Sequence, residues 1–335
     1  MIIKTRIILV VLLLVGLLLP FITNNSFWSL FLARVLGSIF FTTAVWALLE
    51  VAGQPAFGVS AIAGIGVYGY ALSANLGGLN PWFAILIGII CATLAGMILS
   101  VPSMRIGGIM TQGILNIFFI FAFAALIAAL VKYTGGTAGI TLKPLPPNGI
   151  FGQLRYKYLI VLIFTVIGVG TIYSILKSRF GKIIGLTGSN ERLASSLGIN
   201  VTKYKRLAYL VFVPLLALAG FSIGFSSGVT APKYWSVELS FITILSFWIG
   251  GSRTILGPIV GAAFIAAFPT LFNAAMEWRI VAVGILALLI RMFLPEGIVG
   301  FLENKYHNLR TYLDQNYSSM VIPRPAKDSL VKSGE

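Results

Sequence analysis

Residues 51–104 read VAGQPAFGVSAIAGIGVYGYALSANLGGLNPWFAILIGIICATLAGMILSVPSM, which is 54 consecutive residues without a charged side chain between Glu50 and Arg105. A helix needs about 20 apolar residues to cross the hydrocarbon core of a bilayer, so this stretch is long enough for two crossings. The polar segment 75–81 (NLGGLNP) divides it. The stretch therefore predicts two membrane-spanning helices joined by a short polar turn.

The composition of the whole chain also indicates a membrane protein. Of its 335 residues, 58% are hydrophobic and 10% are charged, and the mean hydropathy is +0.97. Soluble domains carry about 25% charged residues, so an ordinary soluble enzyme, a disordered chain and a fibrous protein are excluded. The formal net charge of +15 does not indicate nucleic acid, because apolar runs separate the basic residues. We expect the chain to lie in a lipid bilayer and to bind no nucleic acid.

Charged residues delimit the other predicted spans. The sequence predicts an all-α, polytopic membrane protein of about ten transmembrane helices, with roughly nine to eleven as the range because the run at 238–252 is short. We divide the chain into a transmembrane domain, 1–302, and a polar C-terminal tail, 303–335. Besides the two helices above, spans are predicted near 7–22, 31–49, 108–131, 158–176, 205–228, 238–252, 254–276 and 279–294.

Basic residues predict the orientation of these helices. The segment 177–206 has a net charge of +6, and Lys and Arg concentrate in cytoplasmic loops. With this segment in the cytoplasm, both termini lie inside and the loop 132–157 lies outside. The N-terminus resembles a signal peptide but offers no small-x-small cleavage site, so we expect the first helix to be retained. Indoles prefer the membrane interface, and four fall near the outer one: Trp28, Trp82, Trp235 and Trp278.

Side chains for metal binding or nucleophilic catalysis are scarce. Cys91 is the only cysteine and lies in an apolar run, whereas the only histidine, His307, lies in the polar tail. The sequence therefore predicts no metal site, no catalytic residues and no enzymatic activity of this chain.

The segment 177–206 also predicts a short surface helix. Ser189 or Asn190 can accept hydrogen bonds from its first amides, Glu191 complements its positive N-terminus, and Gly198 ends it. Two interpretations remain open. The segment is either a solvated loop at anionic lipid headgroups or a docking helix for a soluble cytoplasmic partner.

The same segment resembles a known family. Residues 178–182 (SRFGK) and 194–205 (ASSLGINVTKYK) resemble the coupling-loop region of branched-chain amino acid ABC-transporter permeases. The resemblance covers about residues 30–302, and further stretches follow in the family's order: 53–54 (GQ), 64–68 (GIGVY), 102–105 (PSMR), 134–140 (TGGTAGI), 236–239 (SVEL), 249–262 (IGGSRTILGPIVGA), 277–279 (EWR) and 294–300 (LPEGIVG).

This resemblance implies a multi-pass permease subunit of an ATP-binding-cassette importer in a bacterial or archaeal plasma (inner) membrane. The implied partners are a second related permease in a heterodimer, two cytoplasmic ATPase subunits and an extracytoplasmic solute-binding protein. The chain has no G-x-x-x-x-G-K-[ST] phosphate loop, since Gly181-Lys182 lacks both the earlier Gly and the following Ser or Thr. We therefore expect no cofactor on this chain, and ATP with Mg²⁺ on the partner ATPases.

In this family the cytoplasmic helix couples the permease to the ATPase. The resemblance carries that role to six positions, of which Ala194 and Leu197 are expected to enter an ATPase groove. The six are Ser189, Asn190, Glu191, Ala194, Leu197 and Gly198.

Departures from the family pattern bear on the substrate. Val59 stands where a His is usual, Ala56 replaces a common Ser, and residues 107–110 (GGIM) replace an Arg-Gly-Tyr pattern. The expected substrate is a branched-chain or related amino acid. Urea, a short amide or a small carboxylate remains open.

Polar residues inside apolar spans are candidates for the substrate pathway. The Gly53-Gln54-Pro55 break can free backbone groups for a polar ligand, and Gln54, Ser60, Gln112 and Asn116 are the candidate pathway residues. The alternative is that these side chains only hydrogen-bond between helices.

Glu238 and Trp235 are candidates for a gate or for contact with the binding protein at the outer interface. An ion pair between Glu238 and Lys233 is the alternative. The series Gly220, Gly224 and Gly228 predicts close helix packing, within this subunit or at a subunit interface.

One other class of transporter competes with the importer. A stand-alone secondary transporter or channel is the alternative, but such proteins usually carry ionisable groups inside the membrane, and this chain has few. An integral-membrane enzyme would need a catalytic cluster, which the sequence does not contain.

Overall fold

The computed structural model describes residues 26–55, 57–105, 109–145, 153–271, 284–285, 288–290, 292–294 and 296–301. The helices are α1 (Ser26–Trp46, continued by a π-helical turn, Ala47–Val51), α2 (Val59–Asn75), α3 (Pro81–Arg105), α4 (Ile109–Ala129), α5 (Val131–Thr134), α6 (Gln153–Lys177), α7 (Arg179–Ser189), α8 (Glu191–Ser196), α9 (Val201–Ser227), α10 (Val237–Gly250) and α11 (Leu256–Leu271). The strands are β1 (Ile140–Thr141) and β2 (Val229–Thr230).

The helices agree with the predicted all-α membrane architecture. The charge-free stretch forms two helices, α2 and α3, that separate at residues 76–80, as its polar segment predicts. Within the described residues, 5 helices are long and apolar enough to span a membrane, and α10 and the N-terminal part of α11 are shorter apolar helices. The predicted count of ten spans is not confirmed, because the span at 7–22 and part of the span at 279–294 lie outside the described residues. The predicted tail, 303–335, also lies outside them.

Helix α2 lies at the centre of the bundle. It packs against α3 and α9, and most of its side chains are buried. Glycines permit this close packing, since a Cβ added at Gly69 would lie 3.1 Å from the Cα of Gly88 on α3. On the other side, a Cβ at Gly220 of α9 would lie 2.7 Å from Cβ of Ala63. The glycine series of α9 therefore packs within this chain, which is the first of the two interpretations.

The loops collect at two ends of the bundle. At one end, β1 and β2 pair antiparallel, with Ile140 opposite Thr230. The Asn75 side-chain amide donates to the Thr141 carbonyl oxygen at 2.7 Å, which ties the α2–α3 turn to this strand pair. We call this the hairpin end. It brings together the loops that the charge pattern places outside.

The opposite end carries α7 and α8, and we call it the coupling end. There the Trp46 indole donates to the Ser252 carbonyl oxygen at 2.8 Å. Arg253 pairs with Glu296, Nη1 to Oε1, at 2.8 Å. The loops at this end are those that the charge pattern places in the cytoplasm.

Candidate functional site

The polar break between α1 and α2 lies at the coupling end and comprises residues 52–58. Helix α1 ends in a π-helical turn. Such turns are rare in proteins, and those that occur are often found at functional sites. Gly53 then has a φ of 62°, in the left-handed region that glycine adopts without steric cost. The break therefore interrupts the helical backbone where the sequence predicts it.

Gln54 is buried within this break. Its amide donates to the Leu48 carbonyl oxygen at 3.1 Å, and its side-chain Nε2 donates to the Ala52 carbonyl oxygen at 3.1 Å. The side chain is only 2% exposed. Gln54 thus stabilises the turn locally, and its Oε1 is the part of the side chain that could meet another polar group.

Asn116 joins the break to α4. Its Oδ1 accepts a hydrogen bond from the Gly58 amide at 3.2 Å, and its Nδ2 donates to the Gln112 carbonyl oxygen at 2.7 Å. A Cβ at Gly58 would lie 2.8 Å from Oδ1, so a glycine is needed for this approach. Asn116 thereby supplies the acceptor that the Gly58 amide needs inside the bundle.

Ser60 joins the start of α2 to α10. Ser240 donates from Oγ to the Ser60 Oγ at 3.0 Å, and the Ser60 amide lies 3.4 Å from the Ser240 Oγ. Both side chains are fully buried. Ser240 was not among the predicted pathway residues, although a serine inside the predicted span 238–252 is a signal for a buried polar contact.

These bonds bear on the alternative that the four polar side chains hydrogen-bond between helices. Ser60 and Asn116 do make the interhelical hydrogen bonds, and Gln112 provides the backbone acceptor for Asn116. We call these three residues and Gln54 the polar cluster of the break; Gln54 makes its hydrogen bonds within the turn itself, and Gln112 is half-buried. Whether the cluster also contacts a substrate stays a prediction.

The coupling loop contains two helices where the sequence predicts one. Helix α7 is capped by Ser178, whose Oγ accepts from the Gly181 amide at 3.1 Å, and it ends at Ser189. Helix α8 is capped by Asn190, whose Oδ1 accepts from the Leu193 amide at 3.0 Å. Gly198 follows with a φ of 76°. The predicted cap and stop are confirmed, with Asn190 rather than Ser189 as the cap.

Glu191 is tied to the next membrane helix. Its Oε1 lies 2.5 Å from Nζ of Lys205 in the first turns of α9, with side-chain exposures of 58% and 16%. The ion pair connects α8 to α9. It gives Glu191 a second structural role beside its place at the positive N-terminus of α8.

The apolar residues of α8 divide between the chain and the solvent. Ala194 is fully buried within the chain, so the expectation that it enters a partner's groove is corrected. It anchors α8 to the bundle instead. Leu197 is 64% exposed and Leu193 is 47% exposed, so these two leucines present the free apolar surface. Leu193 was not among the predicted coupling residues, because a helix of 6 residues is too short for its apolar pattern to show which side is exposed.

At the hairpin end, Glu238 and Trp235 differ in exposure. Glu238 is exposed in the first turn of α10, whereas Trp235 is 2% exposed and donates from its indole to Thr230 Oγ1 at 2.7 Å. Lys233 lies over the Tyr234 ring, with Nζ 5.3 Å from the centroid. The Trp235 ring packs over Gly64 inside the bundle, and its role as a gate or as a contact for the binding protein stays a prediction.

Metal-binding side chains do not cluster in the part of the chain that the structure describes. Among those residues, no group of three or more His, Cys, Asp and Glu side chains is placed to hold a metal ion.

The long apolar helices, the break between α1 and α2 and the exposed loop helix α8 together define the class of the protein. It is a polytopic α-helical membrane protein.

Comparison with known proteins gives the family. Residues 29–294 match the family described as "Branched-chain amino acid transport system / permease component". Because the match covers most of the chain, the protein belongs to this family of permease components.

Individual relatives are distant. The chain is 22% identical over 281 residues to the high-affinity branched-chain amino acid transport system permease protein LivM of Salmonella typhimurium, covering 75% of this chain and 65% of that protein. It is 22% identical to LivM of Escherichia coli K12, covering 89% and 75%. The structure of PsaBC from Streptococcus pneumoniae in complex with Fab has a TM-score of 0.44 at 19% identity, covering 83% of this chain and 94% of that chain.

Proposed function

We propose that this chain is the permease subunit of an ATP-binding-cassette importer that forms the membrane pathway for a small polar solute. The family match over residues 29–294 carries the proposal. The apolar helices and the capped helix α8, which presents two exposed leucines at the coupling end, support it. We assign branched-chain or related amino acids as the solute, since the LivM proteins bear that description.

The partners follow from this role. We propose that a second related permease completes the pathway and that two cytoplasmic ATPase subunits bind ATP and Mg²⁺, one of them docked on the coupling loop of this chain. An extracytoplasmic solute-binding protein delivers the solute at the hairpin end, with exposed Glu238 as the contact. The complex lies in the plasma (inner) membrane of a bacterium.

The coupling loop is where the ATPase acts in this proposal. Leu193 and Leu197 enter an apolar groove of the ATPase, while buried Ala194 and the Glu191–Lys205 ion pair hold α8 to the bundle. Asn190 and Gly198 fix the two ends of α8, and Ser189 ends α7. Nucleotide-driven closure then moves α8 and its attached helices as a rigid body.

The polar cluster of the break is the proposed polar part of the pathway. Asn116 of α4 and Ser240 of α10 bond to the start of α2, and Gln54 lies in the turn before it. A moving solute would replace the hydrogen bonds that Ser60 and Asn116 now make between these elements. Val59, buried beside Ser60, leaves an apolar surface where the family usually has a His.

Purification tests the class of transporter. The tagged chain is expressed with its neighbouring genes and isolated in mild detergent, and the associated proteins are identified by mass spectrometry. Co-isolation of an ATPase and a second permease is the expected result. Ion-driven solute flux by this chain alone in liposomes would contradict the proposal and favour the stand-alone secondary transporter or channel.

The solute is tested on the binding protein. A thermal-shift screen with branched-chain amino acids, urea, short amides and small carboxylates is expected to show stabilisation by the amino acids, because a ligand that binds only the folded state raises its stability. Stabilisation by another class alone would reassign the solute and leave the importer class standing.

A further inference from the structure

We propose that the backbone contact between Gly53 and Gly188 is the joint through which the coupling loop moves the polar break. In this inference Gly53 and Gly188 are positioning residues for transport, and neither touches the solute. The inference rests on the proposed importer function.

The contact joins two backbones without side chains between them. A Cβ added at Gly53 would lie 2.7 Å from the Cα of Gly188 and 2.8 Å from its carbonyl oxygen. A Cβ added at Gly188 would lie 2.8 Å from the Gly53 amide nitrogen and 2.9 Å from the Ala52 carbonyl carbon. Neither position has room for a methyl group. Packed interiors compress little, so a displacement of one backbone is passed to the other.

Helix α8 is connected to this contact through α7. Asn190 is the single residue between the two helices, and its amide donates to the Leu186 carbonyl oxygen at 3.0 Å while its side chain caps α8. Gly188 lies in the last turn of α7, two residues before Asn190. A force on the exposed leucines of α8 therefore reaches Gly188 through one turn of helix.

Helix α7 itself is held on the bundle along one face. Ile184 and Thr187 are buried, at 1% exposure each, and Ser178 caps the N-terminus. The helix therefore moves as a unit, and its last turn is the part that presses on the break.

On the other side of the contact, the break is bonded to two further helices. The Gly58 amide is held by Asn116 of α4, and Ser60 is held by Ser240 of α10. A shift of Gly53 is thus shared with α2, α4 and α10. These are the elements that carry the proposed pathway residues.

A neighbouring glycine provides a matched control. Gly185 lies one turn earlier on α7, and a Cβ added there would meet only Cγ1 of Val51 at 3.9 Å, an ordinary van der Waals distance. Gly185→Ala therefore changes the same helix by the same group without entering the joint.

The experiment uses the complete complex of permeases, ATPases and binding protein in proteoliposomes. For Gly188→Ala we expect ATP hydrolysis to continue while uptake per ATP hydrolysed falls about tenfold, within the range typical of coupling between sites. Gly185→Ala is expected to match the wild type in both. Unchanged uptake per ATP in an assembled Gly188→Ala complex would overturn the joint and leave the importer function standing.

A cross-link covers the case in which Gly188→Ala does not assemble. Val51→Cys with Gly185→Cys, in a Cys91→Ala background, places two thiols beside the joint, because a Cβ at Gly185 lies 3.9 Å from Cγ1 of Val51. Loss of both free thiols on oxidation shows that the disulfide has formed before uptake is measured. Because the joint moves as one body, oxidation is expected to leave ATP-driven uptake unchanged. Uptake that is lost on oxidation and restored by reduction would overturn it. Absence of ATP-driven uptake in the wild type and in Gly185→Ala would instead overturn the importer function, and the joint with it.

Discussion

Single residues in the coupling loop form hydrogen bonds or ion pairs that connect two helices. Asn190 caps α8 and continues the backbone bonding of α7, and Glu191 pairs across to Lys205 of α9. Gly58 and Asn116 do the same at the break, where one amide and one side chain connect two helices. Substitutions at such positions are expected to change transport more than they change stability.

The Glu191–Lys205 ion pair gives a test with a built-in rescue. An exposed pair is worth about 0–1 kcal/mol, so Glu191→Gln is expected to leave thermal stability nearly unchanged. Uptake per ATP is expected to fall, because α8 loses its bond to α9. Restored uptake in the exchange Glu191→Lys with Lys205→Glu would show that the pair acts as a unit. Full transport by Glu191→Gln would remove the ion pair from the account.

The buried serine pair tests the polar break. Ser60→Ala removes the acceptor of the Ser240 hydroxyl in a buried site, and an unsatisfied buried polar group costs about 1–3 kcal/mol. We expect a lower melting temperature in detergent and reduced uptake. Ser222→Ala is the control, since this equally buried hydroxyl bonds only to the Leu218 carbonyl oxygen of its own helix, at 3.0 Å. Equal effects of the two variants would mean that the Ser60–Ser240 bond has no special role.

At the scale of helices, charge and polarity predicted much of what the structure contains. The α2–α3 hairpin follows from a charge-free stretch with one polar interruption, and the α8 cap follows from a residue type that favours helix starts. The inward face of α8 did not follow, because 6 residues are too few for a periodic pattern to show which side is buried. Ala194 therefore anchors α8 to the bundle, contrary to the expectation that it enters a partner's groove. Leu193 is an additional exposed residue that was not expected.

Contacts between distant segments were also outside the reach of the sequence. Gly53 belongs to the predicted break, but the sequence contains no signal for its contact with Gly188, since only the packing of α7 on the break brings the two backbones together. The packing of the Trp235 ring over Gly64 and the bond of its indole to Thr230 were likewise not predicted, because the sequence does not show how a loop side chain packs against the bundle.

The cap of α8 can be tested as an element. Asn190→Ala removes the side-chain acceptor for the Leu193 amide, which typically costs about 0.5–2 kcal/mol of helix stability. We expect faster hydrogen exchange of the α8 amides and weaker retention of the ATPase during purification. Ser189→Ala is the control, since that hydroxyl lies at the exposed end of α7 and bonds to Leu186. Equal retention in both variants would contradict a docking role for an ordered α8.

At the scale of the whole molecule, the two ends of the bundle have separate tasks in this account. The coupling end presents Leu193 and Leu197 to the ATPase, and the hairpin end faces the solute-binding protein. Exposed leucines at the two ends therefore differ in their expected partners.

A leucine substitution at each end separates these tasks. The double variant Leu193→Ser with Leu197→Ser is expected to lose most of the co-purifying ATPase while the chain still folds, because exposed side chains contribute little to the core. Leu76→Ser, at the hairpin end with 60% exposure, is the control and is expected to retain the ATPase. Loss in both variants would indicate a general effect of removing surface apolar groups.

The most direct measurement of the central claim is solute uptake into proteoliposomes that contain the permease pair, the ATPases and the binding protein. We expect uptake of a branched-chain or related amino acid that requires ATP, is lost in the Leu193→Ser, Leu197→Ser variant and needs no ion gradient. Uptake driven by an ion gradient without ATP, and unchanged in that variant, would contradict it.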